Sequence, residues 1–291
     1  MARQVIDVDW SLPRSTDFNQ ALRRYKRYLE DQGIRETTIR MYSGNVKRYL
    51  AFSGTDRPSF QNWDDFKGTL HDSKLARSTL NQYSYAARAY HAMLGETLPV
   101  KRLEPHNEIP FYFDENDVIK IFGAIDNIKH LAMLETMFFA CLRVSELCNL
   151  NDEDIDIKTL TVRIRQGKGG RDGITYLHPE CVRTIQQYLA IRPAIEINGK
   201  TPLFYTHTGA RWQREEVSRM FLRYKKRADV SKPGGLHVFA RHTPASIMIK
   251  NGCDILTVKE LLRHKDITTT VRYLHISDNV RRLKHDKFLR L

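Results

Sequence analysis

Cysteine is scarce in this chain: there are four, Cys141, Cys148, Cys181 and Cys253, and no two form a C-x-x-C pair. That pattern argues against a disulfide framework or a zinc site and fits a reducing compartment. Cys141 and Cys148 stand seven apart, so on one continuous helix they would share a face as small core residues. Long apolar runs are also missing. The longest, near 131–142, is broken by Glu135 and is too short to span a bilayer. The first ten residues place Asp7 and Asp9 where a secretory leader needs an apolar stretch. The expected location is therefore the cytoplasm, with no membrane partner. Acidic residues are outnumbered: 34 Asp+Glu face 47 Lys+Arg, a formal charge of +13. No repeat or low-complexity segment occurs.

What is present is an ordinary globular composition, 41% hydrophobic and 10% aromatic, over 291 residues, which is more than one comfortable core. Two domains are expected. Residues 1–97 hold 15 Lys+Arg against 11 Asp+Glu, and residues 98–291 hold 32 against 23. Both portions are basic, so a polyanion touching both is the natural partner, nucleic acid ahead of an anionic membrane.

Residues 1–16 read as a lead-in. Asp17 is placed to cap a helix over 18–31, with Leu22, Tyr25, Tyr28 and Leu29 on one face and Gly33 at its end. Thr37 or Thr38 starts a second helix striped by Ile39, Tyr42, Val46, Tyr49 and Leu50. A short helix is expected at 59–71 and a fourth at 78–94, carrying Leu80, Tyr83, Ala87, Tyr90 and Leu94. These tyrosines have core spacing. Arg35, Arg40, Lys47, Arg77 and Arg88 lie off the stripes and are the candidates for DNA phosphate contacts. Residues 98–113, rich in proline and without period, read as a linker.

Asp114 and Asp117 mark the start of a second domain, 114–277. The pattern predicts one long helix at 129–149. Residues 160–165 alternate and 174–177 return as a strand, so 160–177 is expected as a hairpin around the glycine-rich turn at 167–170. Helices are expected at 179–192, 213–228, 238–251 and 255–263. The stretch 278–291 is basic with scattered apolar residues. The fold class is mostly α with a small antiparallel sheet.

Four segments then acquire a common meaning. Cys141-Leu142-Arg143-Val144-Ser145-Glu146-Leu147 resembles the G-L-R-V-S-E-L segment of the tyrosine recombinase (integrase) family, and the resemblance is Xer-like. Gly167-Lys168-Gly169-Gly170-Arg171-Asp172 resembles its G-K-G-x-K-x turn. His237-Val238-Phe239-Ala240-Arg241-His242-Thr243 resembles its H-x-L-R-H-T/S segment. The stretch from Leu261-Leu262-Arg263-His264 to Thr269-Thr270-Val271-Arg272-Tyr273 resembles L-L-G-H-x-x-I-x-T-T-x-x-Y. The order and gaps match, and the four helices at 17–97 are similar to the family's core-binding domain.

The resemblance implies strand cleavage and rejoining through a 3′-phosphotyrosine, with Tyr273 as nucleophile. Arg143 and Arg241 would clamp the scissile phosphate, a task suited to fixed bidentate donors. His264 would donate to a phosphate oxygen. Lys168 would protonate the leaving 5′-oxygen, with Arg171 as the alternative because the turn's register is open, and as a DNA-binding candidate otherwise. Glu146, three residues after Arg143, would orient the catalytic groups. With arginines carrying the charge, no metal, cofactor or ATP is implied. The implied partner is double-stranded DNA with paired sites, bound as a dimer per site and a homotetramer overall, with a monomer possible off DNA and the prokaryotic nucleoid as location. Segment 278–291 would pass to a neighbouring subunit. Integrase, Xer-type dimer resolvase and type IB topoisomerase-like relaxing enzyme all stay open.

One departure stands out. His237 lies four residues before Arg241, whereas the family's histidine lies three before, a place here taken by Val238. Both spacings can share a helical face, so His237 is expected to reach the phosphate with a locally altered backbone. His242 is the fallback, expected otherwise to pack behind Arg241. Pro244 near a first turn is tolerable.

Overall fold

A computed structural model describes residues 18–104, 111–165 and 172–274, together with His285 and Leu289. The chain divides into two compact units, Met1–Asn107 and Glu108–Leu291.

The first unit is a set of four helices, α1 (Asn19–Asp31), α2 (Glu36–Ser53), α3 (Phe60–Asp72) and α4 (Arg77–Met93). Its apolar stripes meet in two clusters. One holds Tyr25, Leu29, Val46, Leu50 and Tyr90; the other holds Tyr49, Trp63, Phe66, Leu80 and Tyr83. The tyrosine hydroxyls are satisfied inside the fold. Tyr25 donates to the Ala86 carbonyl at 2.8 Å, Tyr90 to that of Asp56 at 2.7 Å, and Tyr49 meets His91 Nε2 at 3.0 Å. These rings are core, as their spacing implies. Ser59 and Asn62 form a reciprocal cap at the start of α3. Asp17 lies outside the described residues.

The second unit opens with α5 (Glu115–Gly123), where Asp114 and Asp117 form the reciprocal cap. It continues through α6 (Ile128–Phe139), α7 (Val144–Asn149), β1 (Ile155–Asp156), β2 (Thr161–Ile164), β3 (Gly173–Tyr176), α8 (Pro179–Ile191) and α9 (Arg214–Arg227). After these come a π-turn (Val238–His242), α10 (Thr243–Lys250), α11 (Ile255–Leu261) and α12 (Thr268–Val271). The fold is mostly helical with one small antiparallel sheet. The expected strand pair is present and extended by one strand, and one expectation, the long helix, needs correction. The hairpin is the larger part of a three-stranded sheet in which Ile155 pairs with Val162 and Thr161 with Tyr176; β1 is too short to show a period. The expected helix at 129–149 is two helices. The first ends at Phe139, Cys141 turns left-handed at φ 49°, and Arg143 is extended before the second begins. Cys141 and Cys148 therefore do not share a helical face, although both are buried. The apolar pattern runs through the break because Ala140, Cys141 and Leu142 are as buried there as they would be in a helix.

The core of this unit is built on Phe113, Phe138, Phe221 and Phe239 with the inner faces of α6, α8 and α9. A satellite cluster of Cys141, Ala245, Ile249, Val258, Leu262 and Tyr273 lies around α10 and α11. Among the described residues no helix is long and apolar enough to cross a membrane.

Candidate active site

Two helix ends create the site. The amide of Leu142 returns to the Met137 carbonyl and that of Cys141 to Phe138, closing α6. In the same pattern the amide of His264 returns to Lys259 and that of Arg263 to Glu260, closing α11. Both are Schellman caps, whose left-handed residue is usually glycine. Here those residues are Cys141 and Arg263, at φ 49° and 52°. They occupy the two places where the family segments carry glycine.

A helix end leaves carbonyls without partners and a partial negative charge, and arginines answer both. Arg241, only 2% exposed, donates from Nη1 to the Cys141 carbonyl at 2.6 Å and from Nη2 to that of Leu262. Burial, then Arg143 and Arg263, pull its pKa down to about 10, so it stays charged at neutral pH. Arg143 precedes α7 as its cap residue. Its amide donates to Glu146 Oε2 at 2.8 Å and its Nη1 to Oε1 at 2.6 Å. Glu146 thus sits in the first turn of α7, where its charge suits the helix end. Burial pushes this carboxyl up, but Arg263 and Arg143 outweigh it and hold the group below the usual carboxylate range.

The π-turn explains the shifted histidine. The amide of Thr243 reaches back five residues to the Val238 carbonyl, so this turn takes up one residue more than an α-turn. That absorbs the extra residue between His237 and Arg241. It also opens the helix where the ring of Pro244 would otherwise press on the Ala240 carbonyl. The charges of Arg241 and Arg143 both act on His237, whose pKa is lowered first by burial and then by them. Its ring lies edge-on to that of His242, with centroids 5.0 Å apart.

The same turn sets His242. It does not pack behind Arg241: its Nδ1 lies 2.6 Å from Tyr273 Oη. Burial, then His237, Arg272 and Arg241, lower its pKa to about 4, so the ring is neutral at pH 7. The phenol, being the stronger acid, is assigned as donor. Tyr273 is 1% exposed, and burial pushes its pKa up to about 12 while Arg241 and Arg272 pull the other way. His264 Nδ1 meets the hydroxyl of Thr270 at 2.9 Å. With that hydroxyl as donor, Nε2 of His264 carries the ring proton. Burial, Arg241 and Arg143 lower this histidine to about 4 as well.

The structure thus gathers Arg143, Glu146, His237, Arg241, His264 and Tyr273 into one electrostatic neighbourhood. It adds Arg263, which had no role in the sequence reading, and His242, which stood there only as a fallback for His237. Lys168 and Arg171 lie outside the described residues. Arg35, Arg40, Lys47, Arg77 and Arg88 are exposed on the first unit. Arg40 pairs with Glu36, Arg77 donates to the Glu104 carbonyl, and Arg88 lies over the Tyr85 ring.

Comparison with known proteins gives one consistent result. Residues 112–280 match the model of the phage integrase family. The chain is 32% identical to the tyrosine recombinase XerC of Thermodesulfovibrio yellowstonii, over 87% of this chain and 89% of that protein. It is 29% identical to XerA of Pyrococcus horikoshii, over 88% and 89%. Its fold resembles that of a lambda integrase dimer bound to a COC′ core site, with a TM-score of 0.70, 17% identity, and coverage of 89% of this chain and 77% of that one.

Proposed function

This chain belongs to the phage integrase family, the tyrosine recombinases; it is a site-specific DNA recombinase, and we propose that Tyr273 is the residue with which it cuts DNA. In this reading Arg143 and Arg241 lie against the non-bridging oxygens of the scissile phosphate and offset the charge that builds on attack. Tyr273 Oη bonds to phosphorus, the bond to the 5′-oxygen breaks, and the DNA is left as a 3′-phosphotyrosine. The phenol proton passes to His242 Nδ1, its contact partner. The departing 5′-oxygen takes a proton from Lys168. His264 donates from Nε2, and His237 donates beside it. Attack by a 5′-hydroxyl from the second site reverses these steps and reseals the strand. The observation that carries the assignment is the Tyr273–His242 hydrogen bond, set beside the Arg143–Arg241 pair.

The first unit serves as the core-binding domain, with Arg35, Arg40, Lys47, Arg77 and Arg88 on phosphates and Arg171 joining from the second unit. Two subunits bind each site and four form the exchange complex, with segment 278–291 passed between neighbours. The end-to-end similarity to relatives named XerA and XerC supports a Xer-type resolvase role as the second reading.

The test is adduct capture. Lightly nicked, sheared fragments of the genome that carries the gene are incubated with the protein, denatured, and the covalent adducts sequenced and digested for peptide mapping. The expected adduct is on Tyr273, and Tyr273→Phe abolishes it while DNA binding persists. An adduct in that variant, or one mapped to another tyrosine, overturns the assignment.

A further inference from the structure

Arg263 stands where the family segment has glycine, in the backbone conformation that favours glycine, and its side chain runs inward. Only 14% of that side chain is exposed. Its Nη2 donates to Glu146 Oε2 at 2.8 Å and to the Cys141 carbonyl at 3.2 Å, and its Nη1 donates to the Leu261 carbonyl at 3.0 Å. Glu146 is thereby shared. One oxygen takes the Arg143 guanidinium, and the other takes both the Arg143 amide and Arg263. The Cys141 carbonyl is shared as well, between Arg263 and Arg241. Arg263 thus touches one anchor of each phosphate-clamping arginine. The sheet makes room for it, because a Cβ on Gly173 would lie 2.9 Å from Arg263 Cδ.

We propose that Arg263 is a positioning residue for strand cleavage: it locks Glu146 and the Cys141 carbonyl, and through them fixes Arg143 and Arg241 against the phosphate. This rests on the recombinase reading and adds a third arginine to it, in a place the family's glycine leaves empty. Glu146 is the lever. Among the described residues the charged groups acting on it are Arg143 at the cap of its own helix, Arg263 beyond α11 and Arg241 within the π-turn. The histidines His237 and His264 titrate against the same arginines. Arg263 and Arg143 together hold Glu146 ionised against its burial. Without Arg263 the carboxylate takes up a proton at higher pH and lets go of Arg143.

The experiment compares the parent with Arg263→Gly and Arg263→Lys. The substrate is the nicked duplex whose sequence is recovered by adduct capture, and the readout is single-turnover adduct formation between about pH 5 and 8. Glycine suits the left-handed position, so Arg263→Gly should melt within a few degrees of the parent. Its cleavage rate should fall about 10- to 100-fold at pH 7, and its decline on the acid side should begin at higher pH than the parent's. Arg263→Lys restores a charge near Glu146 but not the fork, and should recover part of the rate and the parent's acid limb. A parent-like rate and acid limb in Arg263→Gly overturns the proposal. So does a slowed Arg263→Gly whose pH profile keeps the parent's shape, since a purely structural part would leave that shape alone. If the glycine variant does not fold, Arg263→Asn, which also tolerates the left-handed position, takes its place: a slowed rate with the acid limb moved to higher pH supports the proposal, and a parent-like rate or an unmoved limb overturns it. A parent that forms no adduct on Tyr273 defeats the recombinase reading itself, a separate outcome.

Discussion

Acidification should unfold this protein through three histidines, and the effect can be counted in protons. His130, His242 and His264 are each held near 4 by burial first of all. His130 is bound to the Tyr224 hydroxyl at 2.8 Å, and the other two lie in the active site. In the unfolded chain each returns to about 6.5. The folded values lie below the unfolded one, so the unfolded chain binds the protons first as pH falls. Stability is full above about pH 6.5 and is lost on the way down to about pH 4. By pH 5 the full shifts would amount to about 2 kcal/mol per histidine; the rings are partly exposed, and screening cuts the sum to about 3 kcal/mol. Urea unfolding followed by tryptophan fluorescence, repeated at intervals between about pH 5 and 7, gives the slope of stability against pH and hence the protons taken up on unfolding. The informative variant is His242→Gln, whose amide oxygen still accepts from Tyr273 but does not titrate. Its slope should be shallower by about one proton, at most about 1.4 kcal/mol per pH unit. Other titrating groups, Glu135 included, are common to both proteins and cancel. Parallel stability curves for parent and variant would refute the reasoning, because His242 would then not be held neutral by its surroundings.

Three further outcomes are expected. Thr270→Val removes the hydroxyl that fixes the His264 ring, and should lower single-turnover cleavage about tenfold at the cost of about 1 kcal/mol of stability, read by thermal melting. Gly173→Ala drives a methyl into Arg263, and should slow cleavage about as much as Arg263→Gly does while also lowering the melting temperature; an unchanged rate would mean that the arginine has room to spare. Affinity for a mixed-sequence duplex should fall about a thousandfold or more between roughly 50 and 200 mM salt if six or more phosphates are held, with a flat response counting against the assigned lysines and arginines.

Much of this was readable beforehand, for physical reasons. The cap at Asp114 announces itself because a helix start needs a side-chain acceptor and a reciprocal partner three residues on. The Arg143, Arg241, His264 and Tyr273 set was visible through the family resemblance, whose segments carry those residues in that order, and phosphate chemistry gives each a fitting role. The break after Phe139 was hidden because neither glycine nor proline marks it; Cys141 takes the left-handed turn unaided. The π-turn was half visible, as one residue too many between His237 and Arg241. Its effect on His242 was not, since the direction of that ring depends on the turn's winding and not on the spacing. Arg263 was invisible as a functional group because a substituted glycine shows only what is missing from a motif, not where the new side chain goes.

The two left-handed caps have a consequence for how the protein opens. An L-residue in that conformation costs about 1 kcal/mol that glycine would not, and of the six described residues that adopt it two, Cys141 and Arg263, stand at the site. The caps of α6 and α11 should therefore yield before the phenylalanine core around Phe138 and Phe239. Amide exchange should run ahead at residues 141–143 and 263–265 and lag in the middle of α6. The strain lies at the two joints that hold the arginine pair and the tyrosine's neighbours, so the cutting apparatus can loosen and reset while the body carrying it stays folded.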